Sequence, residues 1–121
     1  MAGERVLVVD DNELNLELAQ YILEADGFVV DRALHVDEAW ARLRACRPDI
    51  ALVDIQLPGA DGLSLVRAIK STPDLADLPV IAFTAYAMQG DEERFRSAGC
   101  DGYLSKPIDV YSFAASVRSY L

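Results

Sequence analysis

Four short segments of this chain are apolar throughout: Val6-Leu7-Val8-Val9, Ile50-Ala51-Leu52-Val53, Val80-Ile81-Ala82-Phe83 and, more weakly, Tyr103-Leu104. A strand with one face in water alternates apolar and polar residues. An unbroken run rich in β-branched side chains instead fits a strand covered on both faces, as in a parallel sheet. A fifth segment, Phe28-Val29-Val30, ends in Asp31-Arg32 and reads as an edge strand. Between these runs lie apolar stripes at helical spacing. Leu14, Leu18 and Ile22, with Ala19 and Leu23, form the first, after Asp11-Asn12, whose side chains can cap a first turn, and before Gly27, which can stop it. Val36, Ala39, Trp40 and Leu43 form the second, closed by Pro48, and Leu63, Val66 and Ile69 the third, closed by Pro73. Val110, Phe113, Ala114, Val117 and Leu121 form the last. In residues 91–98 the charged side chains leave only Phe95 and Ala98 to bury, which predicts a loosely held fourth helix.

Strand and helix thus alternate five times. Right-handed crossovers place helices on both faces, so the pattern predicts an α/β fold: a doubly wound five-stranded parallel sheet, (βα)5, in the flavodoxin-like order 2-1-3-4-5. Residues just past the carboxyl ends of such strands converge on a crevice. Here they are Asp10-Asp11, Asp54, Thr84-Ala85 and Lys106.

The length of 121 residues suits one domain over residues 1–121. With 20 acidic against 11 basic residues the formal net charge is −9, the wrong sign for direct nucleic-acid or anionic-membrane binding. No apolar run approaches the ~20 residues of a membrane span, and the first residues lead straight into a strand, so a cytoplasmic location is expected. Cys46 and Cys100 have no zinc-type spacing and there is one histidine, His35, so both cysteines read as reduced thiols.

Three carboxylates at the ends of two adjacent strands repel one another and call for a cation. Oxygen ligands suit a hard, partly hydrated ion such as Mg²⁺. Asp10-Asp11 could simply cap the first helix and Asp54 begin a turn before Pro58-Gly59, but Lys106 beyond the fifth strand turns the cluster into a pocket. Three carboxylates, one ammonium and one dication sum to zero. Converting Asp54 to an acyl phosphate replaces one negative charge with about two and adds acceptor oxygens. Lys106 offers a point charge, Thr84 a hydroxyl and Ala85 a backbone N–H, the parts that phosphoryl transfer requires. Lys106 precedes Pro107, and an X-Pro bond in a tight turn can be cis and aim that side chain into the crevice.

The segments Val8-Val9-Asp10-Asp11-Asn12, Asp54-Ile55-Gln56-Leu57-Pro58-Gly59-Ala60-Asp61-Gly62, Thr84-Ala85 and Lys106-Pro107-Ile108 together resemble the pattern of response-regulator receivers, the CheY-like family, over essentially the whole chain. The resemblance implies a phosphorelay protein whose Asp54 accepts a phosphoryl group from a sensor histidine kinase or a histidine phosphotransfer protein. It implies Mg²⁺ held by Asp11, Asp54 and the Gln56 carbonyl, with Asp10 acting mainly through water, and Thr84 and Lys106 reading the phosphoryl oxygens. Tyr103 matches the aromatic switch that turns inward as Thr84 moves. Tyr86 is expected to shield the acyl phosphate from water. The run from Thr84 to Arg94 is similar to stand-alone DivK-type regulators and to receivers of hybrid kinases. Both would address a downstream protein target through the fourth helix, fifth strand and fifth helix, here Tyr86, Phe95 and Tyr103. Met1 and the absence of linkers favour an independent protein over a piece of a hybrid kinase. The resemblance implies a signalling receiver that promotes its own phosphorylation and dephosphorylation, not an enzyme in the usual sense.

Two other classes fit less well. A haloacid-dehalogenase-type phosphohydrolase also forms an aspartyl-phosphate with Mg²⁺, Thr and Lys, but expects an acid two residues after the nucleophile, where this chain has Gln56, and needs room for a cap domain. An FMN carrier on the same sheet order wants a Ser/Thr/Gly-rich phosphate loop after the first strand, where Asp10-Asp11 would repel the cofactor.

Overall fold

In the computed structural model, which describes residues 3–57, 60–84, 91–106 and 108–121, three of the apolar runs form the middle of one parallel sheet and the weaker one, Tyr103-Leu104, lies in one of its edge strands. Its strands are β1 (Arg5–Val9), β2 (Val29–Ala33), β3 (Ile50–Asp54), β6 (Val80–Thr84) and β7 (Gly102–Ser105), while β4 (Gln56–Leu57) and β5 (Ala60–Asp61) make a separate antiparallel hairpin. The helices are α1 (Glu13–Ala25), α2 (Val36–Ala45), α3 (Gly62–Lys70), α4 (Asp91–Ala98) and α5 (Phe113–Arg118), with a 3₁₀ turn at Pro73–Leu75. The sheet order β2-β1-β3-β6-β7 is the expected 2-1-3-4-5 once the hairpin is set aside.

Both faces of the sheet are covered, which is why its central strands β1, β3 and β6 carry no polar alternation. Leu7, Val9, Ala51, Val53, Val80 and Ala82 pack with the inner sides of α2, α3 and α4. Val6, Val8, Ile50, Leu52, Ile81 and Phe83 pack on the opposite face, with α1 and α5. Among the described residues no helix is long and apolar enough to cross a membrane.

Local chemistry fixes where the helices begin. Asn12 caps α1, its Oδ1 accepting from the N–H groups of Leu14 (2.9 Å) and Asn15 (3.2 Å), and Gly27 closes the turn beyond it at φ 95°, a conformation that favours glycine. His35 caps α2 through Nδ1, while the Glu38 carboxylate reaches back to the Leu34 N–H (2.9 Å).

Two sequence expectations need correction. The buried face of α1 is Leu16, Ala19, Ile22 and Leu23, whereas Leu14 is 74% and Leu18 38% exposed. Leucines at 14, 16 and 18 offer two stripes at helical spacing, and packing against the sheet selects the one containing Leu16. The last helix is shorter than its stripe. Asp109 accepts the N–H of Tyr111 on its side chain (3.0 Å) and those of Ser112 and Phe113 on its carbonyl, so Val110 lies in the preceding turn, exposed, and Leu121 follows the helix, also exposed. The fifth segment is the edge strand expected of it, paired with β1 through Asp31-Arg32 to Ala33, and the Asp31 carboxylate takes the Arg5 guanidinium (3.0 Å) of that neighbouring strand. In α4, Phe95 and Ala98 are buried as expected.

Both cysteines are free, Cys46 exposed and Cys100 buried. Burial, with Asp101 adding to it, pushes the Cys100 thiol up from 9.0 to about 11. That rise alone cuts its thiolate fraction at pH 8 roughly 100-fold. Titration with a thiol-exchange reagent is therefore expected to give one fast equivalent, at Cys46, and a second only on unfolding. Two equally fast equivalents would contradict it.

Candidate functional site

The parallel register places β1, β3, β6 and β7 side by side with their carboxyl ends level: Val9 faces Val53, Asp54 faces Phe83 and Thr84 faces Ser105. Asp10, Asp54 and Thr84 are therefore brought together at one rim of the sheet. They are also the buried polar residues of the described chain, at 0%, 4% and 2% exposure, while Asp11 faces solvent. Lys106 enters from the end of β7, its backbone N–H fixed on the Thr84 carbonyl (2.8 Å).

Both buried carboxylates are held by the same device. Asp10 Oδ1 accepts the N–H of Asn12 (2.9 Å) and Asp54 Oδ1 accepts the N–H of Gln56 (2.9 Å), in each case the backbone two residues on. Their Oδ2 atoms are left to share one ammonium, with Lys106 Nζ 2.8 Å from Asp10 and 3.1 Å from Asp54. The Phe83 ring lies under that ammonium, 4.9 Å from Nζ to the ring centroid.

The pocket carries more negative than positive charge and is largely buried. Burial pushes the Asp54 carboxyl above the usual carboxylate range, the Gln56 N–H and Lys106 offset only part of this, and Asp10 adds to the rise. Burial pulls the Lys106 ammonium down, but the hydrogen bonds and charges of Asp10 and Asp54 outweigh it and the net shift is upward. Single carboxylate oxygens of Asp10, Asp11 and Asp54 lie within 4.8 Å of one another. Three acids and one lysine leave two negative charges, which a divalent ion would balance. The donor set is all oxygen and partly open to water through Asp11, which fits a hard cation such as Mg²⁺.

Gln56 lies on the exposed rim as the first residue of β4, tied to the pocket through its N–H to Asp54. Tyr103 is 37% exposed on β7, with its ring 6.0 Å from that of Phe95, which is itself 2% exposed. Phe95 therefore stands behind the surface rather than on it. Ala85, Tyr86, Pro58-Gly59 and Pro107 lie outside the described residues.

Two contributors were not foreseen. Asn15 Nδ2 reaches Asp10 Oδ2 (3.4 Å); it follows the cap residue by three positions, and helical side chains lean toward the amino end, so that spacing was the available signal. Gly62 opens α3 directly against the Asp54 backbone, where any Cβ would meet the Asp54 carbonyl oxygen.

Comparison with known proteins agrees with this geometry. Residues 6–118 match the family described as response regulator receiver domain. The chain is 47% identical over 116 residues to the polar-differentiation response regulator DivK of Brucella anthropi, covering 96% of this chain and 94% of that protein. Among solved structures, it is similar to the receiver domain of a sensor histidine kinase from Pseudomonas aeruginosa that has a magnesium ion in its active-site cleft (32% identity, TM-score 0.87, 98% of each chain). It shares its fold with the chemotaxis response regulator CheY4 of Vibrio cholerae (24% identity, TM-score 0.91, 100% of this chain and 99% of that one).

Proposed function

The chain belongs to the response regulator receiver domain family of two-component signalling, and from that membership we propose that Asp54 is its phosphoacceptor, served by a sensor histidine kinase or a histidine phosphotransfer protein. The observation that carries this reading is the shared ammonium: Lys106 bridges Asp54 Oδ2 and Asp10 Oδ2 at the rim where the strand ends meet. An oxygen of Asp54 attacks the phosphorus of a phosphohistidine, the P–N bond breaks, and the imidazole leaves with the bonding pair. The Gln56 N–H holds the other carboxylate oxygen, so the carboxyl plane is set before the donor arrives.

Product charge drives the rest. The acyl phosphate brings about one further negative charge and new acceptor oxygens. Lys106 follows that charge, Thr84 donates its hydroxyl and Ala85 its N–H. Asp10, Asp11 and Asp54 with the Gln56 carbonyl would hold Mg²⁺, which when bound neutralises charge and aligns the phosphoryl oxygens. As Thr84 moves toward the phosphoryl group, Tyr103 turns inward and alters the face formed by α4, β7 and α5. A downstream protein reads that face.

Intact mass after incubation with acetyl phosphate and MgCl₂ tests the assignment. The wild type is expected to gain one phosphoryl group and Asp54→Asn none. Absence of any gain in the wild type with several small donors would falsify it. Mg²⁺ alone should raise the melting temperature, by an amount corresponding to about 2.7 kcal/mol when the ion is at 100 times its dissociation constant. An unchanged melting curve across a magnesium titration would exclude the acids as its site.

A further inference from the structure

Consecutive residues at the end of β6 reach the phosphoacceptor pocket in different ways. Thr84 stands at the rim, while Phe83, paired with Asp54 in the sheet register, turns into the chamber of α1 and α5. The Phe83 ring is wholly buried, yet the Lys106 ammonium lies over it, 4.9 Å from the ring centroid, while also reaching Asp10 Oδ2 at 2.8 Å and Asp54 Oδ2 at 3.1 Å. Behind the ring stands Phe113 of α5, 5.9 Å away between centroids at an interplanar angle of 36°. Phe83 therefore cannot retreat from the ammonium without displacing α5.

A buried phenylalanine needs no role beyond packing, but packing does not account for the charge above it. The Lys106 side chain is 15% exposed, so its ammonium has lost most of its water. An aliphatic floor would leave that side facing hydrocarbon, whereas the negative face of an aromatic ring replaces part of the lost hydration. The ring has a second advantage. An ammonium carries three donors around one point charge. A carbonyl floor would fix one of them and compete with incoming phosphoryl oxygens. The aromatic face attracts the charge over its whole area and directs no single N–H, so the ammonium can exchange Asp54 Oδ2 for a phosphoryl oxygen and stay seated.

We propose that Phe83 is a positioning residue for phosphoryl transfer: its ring seats the Lys106 ammonium beside Asp54 before the donor arrives and lets it turn to the phosphoryl oxygens afterwards. The role in transfer rests on Asp54 as phosphoacceptor; the seating does not.

Lys70 and Lys106 are the two lysines of the chain, and Lys70 pairs with Asp101 and the Leu78 carbonyl, so it serves as the internal reference in lysine-labelled protein. Protons above an aromatic face are shielded. The Lys106 ε-methylene resonance is expected upfield of that of Lys70, and Phe83→Leu should move it downfield. Phosphoryl uptake from acetyl phosphate at fixed MgCl₂ should slow about 10-fold in the same variant. Leucine also alters the packing against Phe113, so 4-fluoro- and 3,4,5-trifluorophenylalanine are placed at position 83 in turn. They nearly keep the shape of the ring while withdrawing electron density from its face. Uptake is expected to fall stepwise with fluorine number, with melting curves close to wild type. Uptake unchanged across the fluorinated series would reduce Phe83 to core packing and overturn the proposal, as would a Lys106 resonance that ignores Phe83→Leu. If the wild type itself takes up no phosphoryl group, the phosphoacceptor reading fails instead, and the Lys106 resonance still decides whether the ring seats the ammonium.

Discussion

Gly62→Ala is expected to lose about 3 kcal/mol of stability and most phosphoryl uptake, although the substitution adds a single methyl group. The added Cβ would land on the Asp54 carbonyl oxygen and approach Ile55 Cα to 2.7 Å and the Asp54 carbonyl carbon to 2.9 Å. These are backbone atoms of β3 and the turn that follows, so they cannot rotate away. The Gly62 N–H also donates to the Ile55 carbonyl (2.9 Å), which ties α3 to the same turn. Relief must come from moving the peptide that carries the phosphoacceptor. Gly102→Ala is the matched control. The atoms nearest its Cβ would be outer ring atoms of Tyr120, a side chain near the terminus that can swing outward, and about 1 kcal/mol or less is expected. Urea midpoints of the two variants, with phosphoryl uptake by mass, distinguish the cases. Equal losses would mean that the β3 turn is softer than its contacts imply.

Lys106→Met should cost about 3 kcal/mol near neutral pH, because removing one member of a buried charge set leaves the others uncompensated. The three side chains are 15%, 0% and 6% exposed for Lys106, Asp10 and Asp54, so water screens them little. Acid should reverse the loss. The Asp54 carboxyl already stands above its ordinary 3.8 through burial, and Lys106 is one of the groups holding it down. Without the ammonium it rises further. Between 3.8 and that folded value the native chain holds a proton that the unfolded chain has released, so the variant gains stability as pH falls through the window. The gap to wild type is therefore wide at neutral pH and narrows as pH falls through the folded value toward 3.8. It closes at the alkaline end too. The folded Lys106 value is raised above 10.5, so on the alkaline side the Lys106 contribution persists up to 10.5 and is lost as pH rises through the folded value. A gap that stays constant from acid to neutral pH would show that Asp10 and Asp54 do not carry the penalty.

Much of this was legible because two rules act on different residues. Unbroken apolar runs marked the strands, and the rule that open sheets bind at their carboxyl ends then pointed to Asp10, Asp54, Thr84 and Lys106 without any contact being known. What periodicity could not decide was phase. Leu14, Leu16 and Leu18 satisfy a helical stripe in two ways, and the surface of the sheet and α5 chooses between them. The hairpin of β4 and β5 was missed because two-residue strands carry no pattern. Asn15 and the paired N–H anchors of Asn12 and Gln56 escaped notice because they depend on backbone direction within one or two turns, which side-chain type does not report. The last helix was overestimated for the opposite reason: Val110 and Leu121 have the right spacing, but the Asp109 turn intervenes.

The sheet divides the interior into two chambers that share no side chain among the described residues, and residue parity along a strand decides which chamber a side chain enters. In β3, Val53 belongs to the chamber of α2, α3 and α4, and Leu52 to that of α1 and α5. Disturbances at adjacent positions should thus travel to opposite sides of the molecule. Methyl resonances of Val66 and Ile69 would respond to trimming Val53 while those of Leu16 and Leu23 stayed still, and trimming Leu52 would reverse the pattern.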